Sequence, residues 1–404
     1  MVDFRAFRAW RPRPDVAAQV AAVPYDVVDT AEARALAAGN PLSLLHVTRP
    51  DIDLPDGTSM YGDEAYTAAA RAFAALIADD VLQHDDTRGL YVYAQQMGDH
   101  RQVGIVGTAS AADYRAGLIK KHEHTRPQKE DDRTRHVEAV RAHLGPVFLA
   151  FRARPDLDAL IEGCVRAAPE VDFVGHDGVR HTLWPVFDPA TVHAIEAAFG
   201  QVPALYIADG HHRAAAAARV GAGASADDPR GRFLAVAFPD DRLRILPYNR
   251  VVADRNDRSV ESLLVALADH FDVTVLTEAA APDRPQSFTM FLGGRWHRLD
   301  LKRAAAPDPK DPVARLDVSV LQDQVLEPLL GIGDPRTDER IDFVGGIRGL
   351  SELEARAGTD GVAFALYPTS LADLMAIADA GEVMPPKSTW FEPKLRSGLV
   401  ISRY

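Results

Sequence analysis

The stretch Leu205-Tyr206-Ile207-Ala208-Asp209-Gly210-His211-His212-Arg213, followed at once by five alanines, constrains this chain more than any other. Residues 204–208 read as a buried strand, because so short an apolar run suits a sheet core. From about 210 to 220 alanine dominates, and alanine is the strongest helix former. A strand that turns through one glycine into a helix lays that helix back on its sheet, and small side chains let it pack closely. The junction also has a chemical consequence. The first N–H groups of a helix have no partner within it and its dipole is positive there, so the turn can hold an anion. Gly210 lets a ligand approach the backbone. His212 and Arg213 add donors, and arginine grips phosphate oxygens in pairs. Asp209 would repel phosphate, and fits better as a base or as a ligand to a bridging divalent metal. The competing reading is a capped helix with surface histidines, and chemistry alone leaves the two level.

The rest of the chain alternates short β-like runs with alanine-rich helical stretches, which predicts a mixed α/β architecture. Asp29-Thr30-Ala31-Glu32 is a capping box opening a helix that stops at Gly39-Asn40-Pro41. Residues 64–78 form a second helix. Strands over 90–96 and 102–109 meet at a Gly98-Asp99 turn. A polar stretch over 120–135 precedes a helix reaching 143 and a strand over 147–151. Residues 233–238 and 243–251 read as another strand pair. The polar run 254–259 is the best boundary, dividing the chain into regions 1–254 and 255–404. The second region has a helix over 260–270, strands over 273–276 and 288–292, and a proline-rich segment over 307–312.

Composition narrows the function classes. The chain has 404 residues, 47% hydrophobic and 25% charged, an ordinary globular balance. Cys164 is its one cysteine, which excludes an internal disulfide and multi-cysteine metal sites. A net charge of −13 argues against nucleic-acid and membrane partners. No apolar run is long enough for a membrane span. The opening Met1-Val2-Asp3-Phe4-Arg5 has no apolar signal core, so a cytoplasmic location is expected. Of 45 basic residues only seven are lysines (Lys120, Lys121, Lys129, Lys302, Lys310, Lys387 and Lys394). Five of them fall in two polar segments.

The first of these runs from Lys120 to Arg133 and contains His122-Glu123-His124 and Lys129. On an extended strand His122 and His124 share a face, with Glu123 opposite. Arg133, Val137, Val140 and Leu144 lie on one helical face, which sets Arg133 near the start of a helix, where it needs an anion. The alternative is a solvated charge cluster. Zinc is a weaker option, since His-x-His needs a third ligand. The second segment, Pro385-Pro386-Lys387-Ser388-Thr389-Trp390-Phe391-Glu392-Pro393-Lys394, is held extended at its start by its prolines. It resembles a phosphate or nucleobase contact without the glycines of a P-loop. A tail strand packing its aromatic residues is the alternative.

Val23-Pro24-Tyr25-Asp26, Asn40-Pro41, His122-Glu123-x-Thr125, Lys129-x-Asp131/Asp132-Arg133, Ala208-Asp209-Gly210-His211-His212-Arg213 and Met384-Pro385-Pro386-Lys387-Ser388-Thr389 occur in this order. On these motifs the chain resembles a bacterial and archaeal family known only as domain of unknown function ten-fifteen. The Asp-Gly-His-His-Arg string also resembles the wider ParB/sulfiredoxin-like superfamily, which includes the free serine kinases. That resemblance implies a ParB/sulfiredoxin-like nucleotide-binding core with an additional C-terminal α/β part. It also implies that Gly210, His211, His212 and Arg213 contact phosphates. Sulfiredoxin's cysteine has no counterpart in the junction, which argues against sulfinic-acid repair.

These readings converge on a nucleotide-dependent phosphotransferase, or kinase, acting on a small hydroxylated metabolite such as free serine. ATP or ADP and Mg2+ would be its cofactors. Lys129, Arg133 and Lys387 would neutralise the transferring group, with Ser388 and Thr389 beside the nucleotide. Of Glu123 and Asp209, one would be the base and the other would help hold Mg2+, with His122 alongside. The tail, 383–396, would return to this site. A non-catalytic nucleotide-binding switch and a metal-dependent hydrolase using His122, His124 and Asp209 are the alternatives. A homodimer stays open. Arg213→Ala is expected to weaken nucleotide binding while leaving the unliganded fold intact.

Overall fold

A computed structural model describes residues 1–225 and 228–404. The chain is mixed α/β and divides into two compact units, Met1–Leu243 with Pro393–Tyr404, and Arg244–Glu392. The division falls before the polar run at 254–259, because residues 248–252 form an inner strand of the second unit's sheet. The final segment belongs to the first unit.

The first unit is built on a nine-stranded sheet. Its strands are β1 (Phe4–Arg5), β2 (Leu90–Met97), β3 (His100–Ser110), β4 (Ile119–Lys120), β5 (Val147–Phe151), β6 (Val171–Val174), β7 (Arg180–Val186), β8 (Leu205–Asp209) and β9 (Arg232–Pro239). The order is β4-β8-β5-β9-β3-β2-β7-β6, with β1 pairing to β3. β8 runs parallel to β4 and β9 parallel to β5, and the other pairs are antiparallel. β5 and β9 are buried along their whole length, which explains why their sequences are continuous apolar runs rather than alternations.

Three helices of this unit matter for the site: α1 (Asp63–Ala78), α2 (Pro127–Val140) and α3 (His211–Val220). In α3, Ala214 and Ala217 are fully buried in the same core as β5, β8 and β9. Alanine thus serves here both helix propensity and close approach to the sheet. The Asp29 capping box forms as expected, with both reciprocal bonds in place around residues Thr30–Ala37.

Two elements differ from the sequence expectation. The polar stretch over 120–135 is helical from Pro127, which occupies the first turn where its missing N–H costs nothing. The helix ends at Val140 with Arg141 left-handed, and residues 142–143 form a short strand instead. Arg133 therefore sits mid-helix. Residues 243–251 are split by Pro247 into Arg244–Leu246 and Tyr248–Val252, and neither pairs with β9.

The second unit carries a six-stranded, wholly antiparallel sheet of β10 (Tyr248–Val252), β11 (Phe271–Val275), β12 (Ser287–Leu292), β13 (Arg295–Leu301), β14 (Ile341–Gly345) and β15 (Val362–Ala365). The order is β11-β13-β12-β15-β10-β14. α4 (Leu350–Ala357) packs Leu353 and Ala357 against one face. Among the described residues, no helix is long and apolar enough to cross a membrane.

Candidate functional site

β8 ends at Asp209, Gly210 turns the chain at φ +94°, and α3 begins at His211. Only glycine adopts that backbone readily. A Cβ at this position would also lie 3.0 Å from Arg213 Nε. No acidic side chain occupies the first turn of α3. The nearest acidic side chain is Asp209, just before the turn, whose Oδ1 accepts the Gly210 N–H at 3.0 Å.

The loop between β4 and α2 comes to this turn. His122 is buried and donates a ring N–H to the Ile207 carbonyl on β8. Its ring stands perpendicular to His211, with centroids 4.5 Å apart. Glu123 follows the bend of the loop, and its Oε2 lies 3.9 Å from His211 Nδ1. Its side chain is 41% exposed, so this carboxylate can meet a ligand from solvent. His122, Glu123 and His211 each offer one ligand atom, all within 4.8 Å of one another.

His124 is exposed. The trio that meets is therefore not the His122, His124 and Asp209 set foreseen for a hydrolase. The chain bends at His122 and Glu123 instead of running as a strand, so strand alternation does not apply.

Charge at the junction is closely balanced. Burial by itself would raise the Asp209 pKa, but Lys394, Arg213 and His211 together with the Gly210 N–H hold it well below the usual carboxylate range. Lys394 Nζ stands 3.7 Å and Arg213 Nη2 3.4 Å from Asp209 Oδ2. Asp209 is thus an ionised carboxylate engaged by two cations. Burial pushes His122 down to about 4 and His211 well below its ordinary value. Both rings are neutral at neutral pH, so neither acts as a fixed cation toward phosphate. His212 is also lowered by burial, and its Nε2 accepts the Arg126 N–H at 3.1 Å. The neutral ring then carries its proton on Nδ1.

The arginines are more enclosed than their sequence positions suggest. Arg213 is 11% exposed and donates through Nη1 to the Pro146 carbonyl. Arg133 is 7% exposed, meets Asp132 at 2.6 Å, and lies 3.9 Å over the Tyr25 ring. Asp132 accepts in turn from Tyr66 of α1 at 2.9 Å. The two adjacent aspartates have separate roles, because Asp131 is exposed and pairs with Arg219 of α3 at 2.5 Å. Lys129 donates to Tyr61 Oη at 2.6 Å.

Lys387, Ser388 and Thr389 belong to the second unit. There the Lys387 carbonyl accepts from Arg250 at 2.9 Å, and Ser388 Oγ donates to the Pro385 carbonyl at 2.6 Å. Sequence reasoning assigned no role to Lys394, Tyr25 or Tyr61. Tyr25 stood in a quoted motif and Lys394 was one of the few lysines, so a signal existed for both. Tyr61 had none.

These features define the class: a mixed α/β protein with a cluster of polar side chains at a strand–glycine–helix junction. The chain belongs to the protein family of unknown function DUF1015, whose model matches residues 4–319. No curated protein matches it. Among solved structures, it is similar to SbnI with C-terminal truncation from Staphylococcus aureus, at 12% identity and a TM-score of 0.39, covering 72% of this chain and 85% of that one. A free serine kinase in complex with AMP matches at 14% identity and a TM-score of 0.37, over 72% and 90% of the two chains. A conserved hypothetical protein from Pyrococcus furiosus matches at 14% identity and 0.35, over 72% and 92%.

Proposed function

We propose that the chain is a nucleotide-dependent phosphotransferase acting on a small hydroxylated metabolite, with free serine the first candidate and ATP or ADP the donor. The observation that carries this reading is the approach of Glu123 to the first turn of α3, 3.9 Å from His211. Phosphoryl transfer needs positioning, charge neutralisation and an acceptor for the hydroxyl proton. The first turn of α3, at His211, His212 and Arg213, supplies N–H donors for phosphate oxygens, and Gly210, whose own N–H is donated to Asp209, lets the ligand approach the backbone. Glu123 is the exposed carboxylate beside them and takes the proton of the attacking hydroxyl. Lys129 lies close enough to His212 to lower its pKa and supplies positive charge on the same side. His122 packs against His211 and holds that residue in position.

Mg2+ would neutralise the phosphate oxygens when bound. With Glu123 as the base, Asp209 is the other carboxylate of the junction that could offer Mg2+ an oxygen, in competition with Lys394 and Arg213. The test is incubation of the protein with ATP or ADP, Mg2+ and L-serine, reading phosphoserine by mass spectrometry. A wider panel of hydroxylated acids follows if serine is inert. Absence of nucleotide binding in a thermal-shift assay would sink the reading.

A metal-dependent hydrolase is the second reading, favoured by the His122, Glu123 and His211 trio. Two imidazoles suit zinc, iron or nickel better than magnesium. A stoichiometric transition metal in the purified protein would move the balance to it.

A further inference from the structure

Behind the junction lies a cavity of about 40 Å³, several times what one water needs. Its charged lining residues are Arg133 and Arg213. Their carboxylate partners, Asp132 and Asp209, do not line it, so both charged residues of its wall are positive. Arg213 Nε is buried with no hydrogen-bond partner. A cationic donor left bare in this way is costly unless a ligand completes it.

The cavity also holds one unmatched acceptor. His143, 7% exposed, donates one ring N–H to the Arg232 carbonyl, and burial pushes its pKa down to about 4. The remaining nitrogen, Nε2, is a lone pair with no partner. Most of the other wall is apolar, including Val137, Ala142, Leu144 and Val147. At Gly145 a Cβ would meet Ser397 Oγ at 2.7 Å, so a side chain there would crowd the wall. Apolar walls keep water from screening the arginines, which strengthens their hold on an anion.

We propose that this cavity is a subsite for a short α-amino or α-hydroxy carboxylate. The carboxylate meets the two arginines, and the adjacent N–H or O–H donates to His143 Nε2. A phosphate monoester dianion fits less well, because it carries no such donor, and any phosphate needs more polar partners than these walls supply. The inference rests on the phosphotransferase reading and names its substrate class. Arg213 is shared by the cavity and the α3 junction, so an acid held there sits beside the phosphate cradle.

The experiment compares L-serine, D-glycerate and glycine, each against its own amide, by thermal shift and calorimetry with and without nucleotide. The acids are expected to stabilise the unliganded protein and the amides are not. Arg133→Gln, and the cavity-filling Ala142→Val with all charges kept, should each weaken acid binding about 10-fold or more, the size of one lost charge-assisted bond. In Ala142→Val the nucleotide shift should persist. Equal effects of acids and amides in the wild type, or no effect of either while nucleotide still binds, overturn the subsite and leave the phosphotransferase reading standing. Loss of both responses removes both. Inorganic phosphate outcompeting the acids would replace the carboxylate with an oxoanion and overturn the proposal.

Discussion

Arg213→Ala is the substitution whose consequence the tertiary structure changes most. As a surface donor at a helix start, Arg213 would be removable at no cost to the unliganded fold. In the structure its side chain is 11% exposed, and its Nη1 holds the buried Pro146 carbonyl. Truncation orphans that acceptor, which costs about 1–3 kcal/mol. It also removes one of the two cations beside Asp209. Lys394 remains at 3.7 Å and Asp209 is partly exposed, so this loss adds at most about 1 kcal/mol. The expected total is about 1–4 kcal/mol of destabilisation. Arg213→Lys keeps a charge but not the planar fork, and should cost about half as much. Urea denaturation of the two variants and the wild type, without nucleotide, measures both values. A loss below about 0.5 kcal/mol for Arg213→Ala would refute the reasoning, since it would mean that the guanidinium does not hold its buried partners.

Glu123→Gln should abolish phosphoryl transfer while leaving the nucleotide thermal shift intact, and a variant with normal turnover would remove Glu123 from the base role. Gly210→Ala forces an alanine into φ +94° and presses its Cβ against Arg213 Nε. The left-handed backbone alone costs about 1–2 kcal/mol, so both melting temperature and nucleotide affinity should fall together. Asp317, in the second unit, is pushed up to about 7, chiefly by burial and partly offset by the Gln286 and Tyr367 N–H groups. Because this folded-state value lies above the unfolded one, the native state retains the proton longer. Its contribution is complete below about pH 4 and declines as pH rises to about 7. Asp317→Asn should flatten that decline by up to about 4 kcal/mol and be the more stable protein at pH 8, as denaturation at pH 4, 6 and 8 would measure. Parallel curves for the two proteins would exclude a buried neutral carboxyl.

Local sequence is informative wherever one short range of residues decides the outcome. The capping box at Asp29 and Glu32, the continuous apolar run of β5, and the β8–Gly210–α3 turn with its alanines all follow from such ranges. The helix start at Pro127 was legible only in part. A helix that buries Asp132, Arg133 and His136 shows no apolar stripe at those positions, because pairing among polar groups replaces it. A hydrophobic period is blind to burial of that kind.

The sequence by itself determined the α/β character, the strand–glycine–helix junction and the loop carrying His122 and Glu123. Tertiary structure alone decided which side chains those pieces share. Strand order brings β4 beside β8, and with it the loop that places Glu123 against His211. The returning tail puts Lys394 beside Asp209, and Tyr25 covers Arg133. Pairing of residues 248–252 with 341–345 and 362–365 assigns them to the second unit despite their nearness in sequence to β9. The physical reason is common to these cases. Local propensity acts over a few residues, whereas a buried charge or a strand edge accepts whichever distant partner best satisfies it.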